Sequence, residues 1–175
     1  TAGAVPARDL AVLRRHAVTL SLALDDLLLQ IVQCGLDNLS VPPGRAVLVP
    51  GWQAAWDDCC EGQLSLRLIS VTPTLGGATD RRPTTCTPPL WTVSIGLSLV
   101  RCIATVDDKG RAPKEAAITM DGLAMVRDMR ELLVALECCV SQLPGVEALK
   151  VGQWLPHLAS GGCSGGECEA SFILM

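Results

Sequence analysis

The segment LWTVSIGLSLVRCIA, from Leu90 to Ala104, alternates large apolar and small residues at a period of two. Trp91, Val93, Ile95, Leu97 and Leu99 share one face, and Thr92, Ser94, Gly96 and Ser98 share the other. Successive side chains of a pleated strand point to opposite sides, so this pattern predicts a strand with one face in a core. The opposite face carries no Lys or Glu, and it too is expected to be covered. GQLSLRLISV, from Gly62 to Val71, repeats the alternation with Leu64, Leu66 and Leu68 against Ser65, Arg67 and Ile69. Arg45 to Val49 reads as a short strand ended by Pro50-Gly51, and Val146 to Trp154 as another. Pro156 to Glu167 reads as a Gly-rich turn, and Glu169 to Met175 as a terminal strand with Phe172 and Leu174 facing one way.

Two segments change period. From Asp9 to Gln33, Leu10, Leu13, Ala17, Leu20, Leu24, Leu27 or Leu28, and Ile31 recur at steps of three and four, which predicts an amphipathic helix stopped at Gly35. Val12, Val18, Leu22, Leu29 and Val32 widen that stripe beyond what one packing partner needs, a first hint of contact with another chain. Met120 to Val140 predicts the second helix, with Val126, Met129, Leu133, Leu136 and Val140 inward, Asp121 as N-cap and Pro144-Gly145 as its end. Between the long strands, Thr72 to Pro89 shows no periodicity and reads as a long Pro/Gly-rich loop. Helix, three strands, helix and one or two strands predict an α+β domain over residues 1–175, with a mostly antiparallel sheet flanked by the two helices.

The chain has 14 Lys+Arg and 18 Asp+Glu in 175 residues, or 18% charged, with 49% apolar residues and a net charge of −4. An average soluble domain carries about 25% charged residues, so roughly a dozen charges are missing. The deficit suggests surface reserved for other protein chains. An acidic balance argues against general nucleic-acid binding, which needs a basic face. Four Trp, one Phe and no Tyr leave little for a base-stacking platform. Asp25 and Asp26 interrupt the apolar run from Ala17 to Cys34, which excludes it as a membrane span. No short apolar stretch behind a basic start reads as a secretory signal.

Nine cysteines, an odd number, stand at Cys34, Cys59, Cys60, Cys86, Cys102, Cys138, Cys139, Cys163 and Cys168. They read as reduced, mostly buried thiols of a cytoplasmic protein. Cys59-Cys60 and Cys138-Cys139 are adjacent pairs, which point apart on a helix or a strand and are poor chelators there. His157 with Cys163 and Cys168 is the one nearby Cys/His cluster, and its Gly-rich spacing suits a hairpin better than zinc. Neither His16 nor His157 is tied by the sequence to a thiol, and no redox C-x-x-C occurs. Gly161 to Gly166 has no following Lys-Ser/Thr and opens into a strand, unlike a phosphate cradle. Asp57-Asp58 and Asp107-Asp108 lack the oxygen spacing of an EF-hand and suit turns and caps. No catalytic residue, cofactor or metal site is therefore expected. Trp52, Trp56, Arg81, Arg82, Trp154 and His157 are the candidate interface residues.

The stretch PGWQAAWDDCCEGQL, from Pro50 to Leu64, resembles proteins encoded among the head-tail genes of long-tailed actinobacterial phages. So do VGQWLP, from Val151 to Pro156, and GGCSGGE, from Gly161 to Glu167. The order of elements is similar to that of phage tail terminators. The resemblance implies a virion protein that is not an enzyme, assembled in the host cytoplasm. In that family a ring, usually of six subunits, ends growth of the tail tube. It touches the tube protein below and the head-tail connector above, and DNA passes through the lumen without specific binding. The long Thr72-to-Pro89 loop departs from familiar members. Another neck protein, a stopper or connector subunit, is the nearest alternative; a metal-binding or thiol domain built on Cys163, Cys168 and His157 is a more distant one.

Overall fold

In the computed structural model, which describes residues 24–50, 59–74 and 90–174, both helices lie on one face of a five-stranded sheet. Helix α1 (24–38) precedes β1 (Arg45–Val49) and β2 (Gln63–Thr74). Strand β3 (Leu90–Cys102), helix α2 (Glu115–Val134), β4 (Val146–Pro156) and β5 (Cys163–Leu174) follow. The strands lie in the order β1-β2-β3-β5-β4, with β1 parallel to β2 and every other pair antiparallel. The fold is α+β with a mostly antiparallel sheet, as the alternation predicts. Residues 9–23 of the expected first helix and residues 75–89 of the expected loop lie outside the described residues, as do His16 and Cys86.

β3 sits at the centre because it has two buried faces to offer. Val93, Ile95, Leu97 and Leu99 join Leu64 and Leu66 of β2 and Ala170, Phe172 and Leu174 of β5 in the core. Leu27, Ile31 and Val32 of α1 and Leu132 of α2 close that core from above, with Leu136 and Val140 just beyond α2. Each fully buried side chain of this size contributes about 1.5–3 kcal/mol relative to exposure.

Six local expectations are corrected. β2 runs on to Thr74, into the start of the expected loop, and β5 begins at Cys163, inside the expected Gly-rich turn, because Gly161 and Gly162, with φ of 59° and 81°, already reverse the chain. α1 does not stop at Gly35 but runs on to residue 38. There the missing side chain lets the helix approach the sheet, since a Cβ would stand 3.0 Å from Leu64 Cδ2. α2 begins at Glu115, five residues before the expected start, so Asp121 is not its N-cap. The Asp121 carboxylate accepts the Ala104 N–H at 2.7 Å instead. The buried side of α2 runs through Asp128 and Leu132, while Val126 faces outward. A carboxylate is tolerated inward because Arg101 of β3 meets it, Nε donating to Asp128 Oδ2 at 2.6 Å. Finally, Leu68 is exposed, because the β2–β3 register shifts between Leu68 and Ser70 and Val71 takes the next place against the core.

The cysteine expectation fails most clearly. Cys34 is bonded to Cys139, Cys59 to Cys163 and Cys60 to Cys102, while Cys138 and Cys168 remain free thiols. The first two bridges span 105 and 104 residues, so their partners meet only through tertiary structure. In a chain-entropy account, closing loops of this length stabilises a fold by about 4–5 kcal/mol each. Cys34–Cys139 ties α1 to the π-turn (Ala135–Cys139) that extends α2. The other two meet at one corner of the sheet.

Candidate functional site

At the centre of the sheet the second face is polar yet buried. Ser65 of β2 and Ser98 of β3 are register partners, 2% and 4% exposed, and their hydroxyl oxygens lie 2.9 Å apart. Arg67 of β2, also buried, reaches across β3 to β5, with Nε donating to Glu167 Oε2 at 2.8 Å and Nη2 donating to Glu169 Oε1 at 3.3 Å. β2 and β5 are about 9–10 Å apart, two strand spacings. The ion pair closes that distance over Gly96, where a Cβ would stand 2.8 Å from Arg67 Nε and 2.9 Å from Glu167 Cδ. The Glu167 hydrogen bond raises the Arg67 pKa above its ordinary value, against the opposing effect of burial. Thus β3 carries no charge on this face, but its neighbours bring one ion-paired group over it.

At the end of β3 the same face carries sulfur. Cys102 and Cys163 are register partners, and Cys59 and Cys60 lie in the turn before β2. The Cα atoms of Cys59 and Cys163 are 5.9 Å apart and those of Cys60 and Cys102 are 4.4 Å apart. Backbone hydrogen bonds hold the corner as well. Cys102 N–H donates to Cys59 C=O at 3.0 Å, and Ile103 N–H to Gly162 C=O at 2.8 Å. Cys59 and Cys163 are buried beside Val100, whereas Cys60 and Cys102 are exposed.

Helix α2 presents a third surface. Met120, Leu123, Val126 and Val134 are 64%, 59%, 57% and 43% exposed, with Arg130 between the last two. Steps of three and four place these residues on one flank, opposite the side that meets the sheet. A helix packed on a sheet usually turns a polar stripe to water. Here the outward stripe is apolar apart from Arg130. Beneath α2, a cavity of about 40 Å³ lined by Leu99, Arg101, Asp121, Asp128 and Trp154 is of a size for water, not for a substrate.

Of the residues singled out from the sequence, Trp154 turns inward. Its ring covers Gly166, where no side chain would fit, and packs against the core. His157 is half-buried, and its backbone N–H donates to Gly165 C=O at 2.9 Å. Trp52, Trp56, Arg81 and Arg82 lie outside the described residues. The cluster of His157, Cys163 and Cys168 is not assembled. Alternation along β5 puts Cys163 and Cys168 on opposite faces, the first bonded to Cys59 and the second in the core. Burial pushes the Cys168 thiol up to about 11, so it is protonated at neutral pH. In this disulfide-bonded state, no three His, Cys, Asp or Glu among the described residues form a group that could hold a metal ion. No described helix is long and apolar enough to cross a membrane.

The sequence reading missed the sulfur corner and the outward stripe. The corner has no local signal, because its members come from three segments joined by strand order. The stripe was visible as Met120, Leu123 and Val126, but periodicity alone cannot tell which apolar flank faces in. Comparison of the chain with known protein families finds no match, and comparison with curated proteins finds none.

Proposed function

We propose that this chain is a structural subunit of a phage neck, a tail terminator that closes the head-proximal end of the tail tube as a hexameric ring. The observation that carries the reading is the exposed apolar flank of α2, Met120, Leu123, Val126 and Val134, which covers nothing among the described residues. Clustered exposed apolar side chains mark contact with other molecules. The low charge content supports the same conclusion. A ring subunit needs two different lateral surfaces, plus axial surfaces for tube protein and connector. In this reading the chain has no catalytic residues, and DNA passes its net-acidic ring without specific binding. The subunit is made in the host cytoplasm and ends in the virion. The three disulfides among the described residues suit a particle that leaves the reducing cell, since such bonds persist on virion surfaces.

Mass photometry of the purified protein mixed with tail tubes tests the proposal. The expected result is association with one end of each tube. Protein that stays monomeric beside bare tubes would overturn it. Labelling in the assembled particle separates the neck readings: a terminator touches tube protein, whereas a stopper touches the portal side.

A further inference from the structure

The two kinds of disulfide in this fold are not alike. Cys34 and Cys139 are a lone pair of thiols joining two helical segments. At the sheet corner, by contrast, four cysteines form a closed ring of near neighbours. Cys59 is linked to Cys60 by a peptide bond, Cys60 faces Cys102 with Cα atoms 4.4 Å apart, Cys102 opposes Cys163 across the β3–β5 ladder, and Cys163 returns to Cys59 at 5.9 Å. The objection that adjacent cysteines diverge holds for helices and strands. It does not hold here, because Cys59 and Cys60 occupy a turn that closes with Gly62 N–H donating to Cys59 C=O at 2.9 Å, and Gly62 takes a φ of 81°.

We propose that the reduced form of this corner is a zinc site, with Cys59, Cys60, Cys102 and Cys163 as a tetrahedral four-thiolate set. The sulfurs need not be bonded to one another to stay together. The Cys102–Cys59 and Ile103–Gly162 backbone hydrogen bonds and the β3–β5 ladder hold all three segments in place without them. Four thiols so held, two buried and two exposed, match what structural zinc takes: four sulfur ligands at about 2.3 Å. The exposed Cys60 and Cys102 supply the entry path. A chain made in a reducing compartment begins with these groups as thiols. Zinc binding displaces their protons and fixes the corner before any disulfide exists.

Oxidation converts one form to the other. Two molecules of a low-molecular-weight disulfide accept four electrons from the four zinc-bound thiolates. Two S–S bonds form, Cys59–Cys163 and Cys60–Cys102, with release of four small thiolates and one Zn²⁺. The bonded corner described above is that oxidised product.

The test uses the full chain, purified without oxygen and with a thiol reductant, then loaded with Zn²⁺ or Co²⁺ alone. The expected result is one zinc per chain by elemental analysis, and tetrahedral thiolate–cobalt absorption bands with Co²⁺. The double variant Cys60→Ser, Cys163→Ser loses that metal and those bands. The double variant Cys34→Ser, Cys139→Ser, altered only at the lone pair, keeps both. A low-molecular-weight disulfide then releases one zinc per chain as four thiols disappear. Reduced, folded wild-type protein that carries no zinc and gives no cobalt bands would overturn the proposal, as would equal metal loss in the two double variants. Either failure leaves tube association, measured separately, untouched.

Discussion

The two faces of β3 are both buried along its middle but are built from different materials. One side packs Val93, Ile95, Leu97 and Leu99 under the helices; the other runs Gly96, Ser98 and Val100 beneath groups supplied by neighbouring strands. The first face is stabilised by area removed from water, which any apolar side chain of the right volume provides. The second depends on matched partners, because a buried polar group costs free energy unless it is hydrogen-bonded or ion-paired. Substitutions should therefore behave differently on the two sides, in size and in what rescues them.

The largest effect is expected on the apolar side. Leu97→Ala, at a position 1% exposed, should lower unfolding stability by about 4 kcal/mol in urea titrations, within the range for buried leucine truncations. A loss under 1 kcal/mol would mean the core can collapse around the cavity. On the polar side, Arg67→Ala leaves Glu167 facing Glu169 without its cation and should cost about 3 kcal/mol, since removing one member of a buried pair strands the other. Gly96→Ala probes the same pair without deleting it. A Cβ at 2.8 Å from Arg67 Nε must push the guanidinium away, with an expected loss of about 2 kcal/mol. Combined with Arg67→Ala, the glycine substitution should add little, and full additivity would show the two are not coupled. Ser98→Ala removes one partner of the Ser65 hydroxyl and should cost about 1 kcal/mol.

The smallest effect lies off the sheet, in the turn after β3. Backbone and side-chain N–H groups of Arg111, with the Lys109 N–H, hold the Asp107 carboxyl below its usual pKa. Its contribution is present above the ordinary aspartate pKa near 4 and is lost as pH falls through the lower folded value. Amide exchange at Lys109 and Arg111 should speed up in acid below that point, while exchange along β3 stays slow. Simultaneous loosening of both would tie the turn to the sheet.

The contrast also explains what could be read from the residues. Period-two alternation gave β3 and most of β2, because the core face needs only that every second residue be apolar. It could not foresee the shift at Leu68–Ser70 that leaves Leu68 exposed, nor that Asp128 would be buried, because Arg101 supplies its partner from another element. The polar face and the sulfur corner were beyond reach for one physical reason. Arg67 meets Glu167 100 residues away, and Cys59 meets Cys163 after 104. Both meetings depend on β5 lying next to β3, a neighbour relation that no local pattern encodes. The α2 flank was half legible, since its apolar residues were plain but the side facing the sheet was not.

The central claim is that the outward flank of α2 is a binding surface of a ring on the tail tube. Electron microscopy of tail tubes incubated with wild-type protein or with Leu123→Asp, Val126→Asp tests it most directly. Both positions are exposed, so the variant should keep wild-type stability within about 0.5 kcal/mol. The account predicts a ring at one end of tubes treated with wild-type protein and bare ends with the variant. Rings of undiminished occupancy with the variant, or bare ends with both proteins, would contradict it.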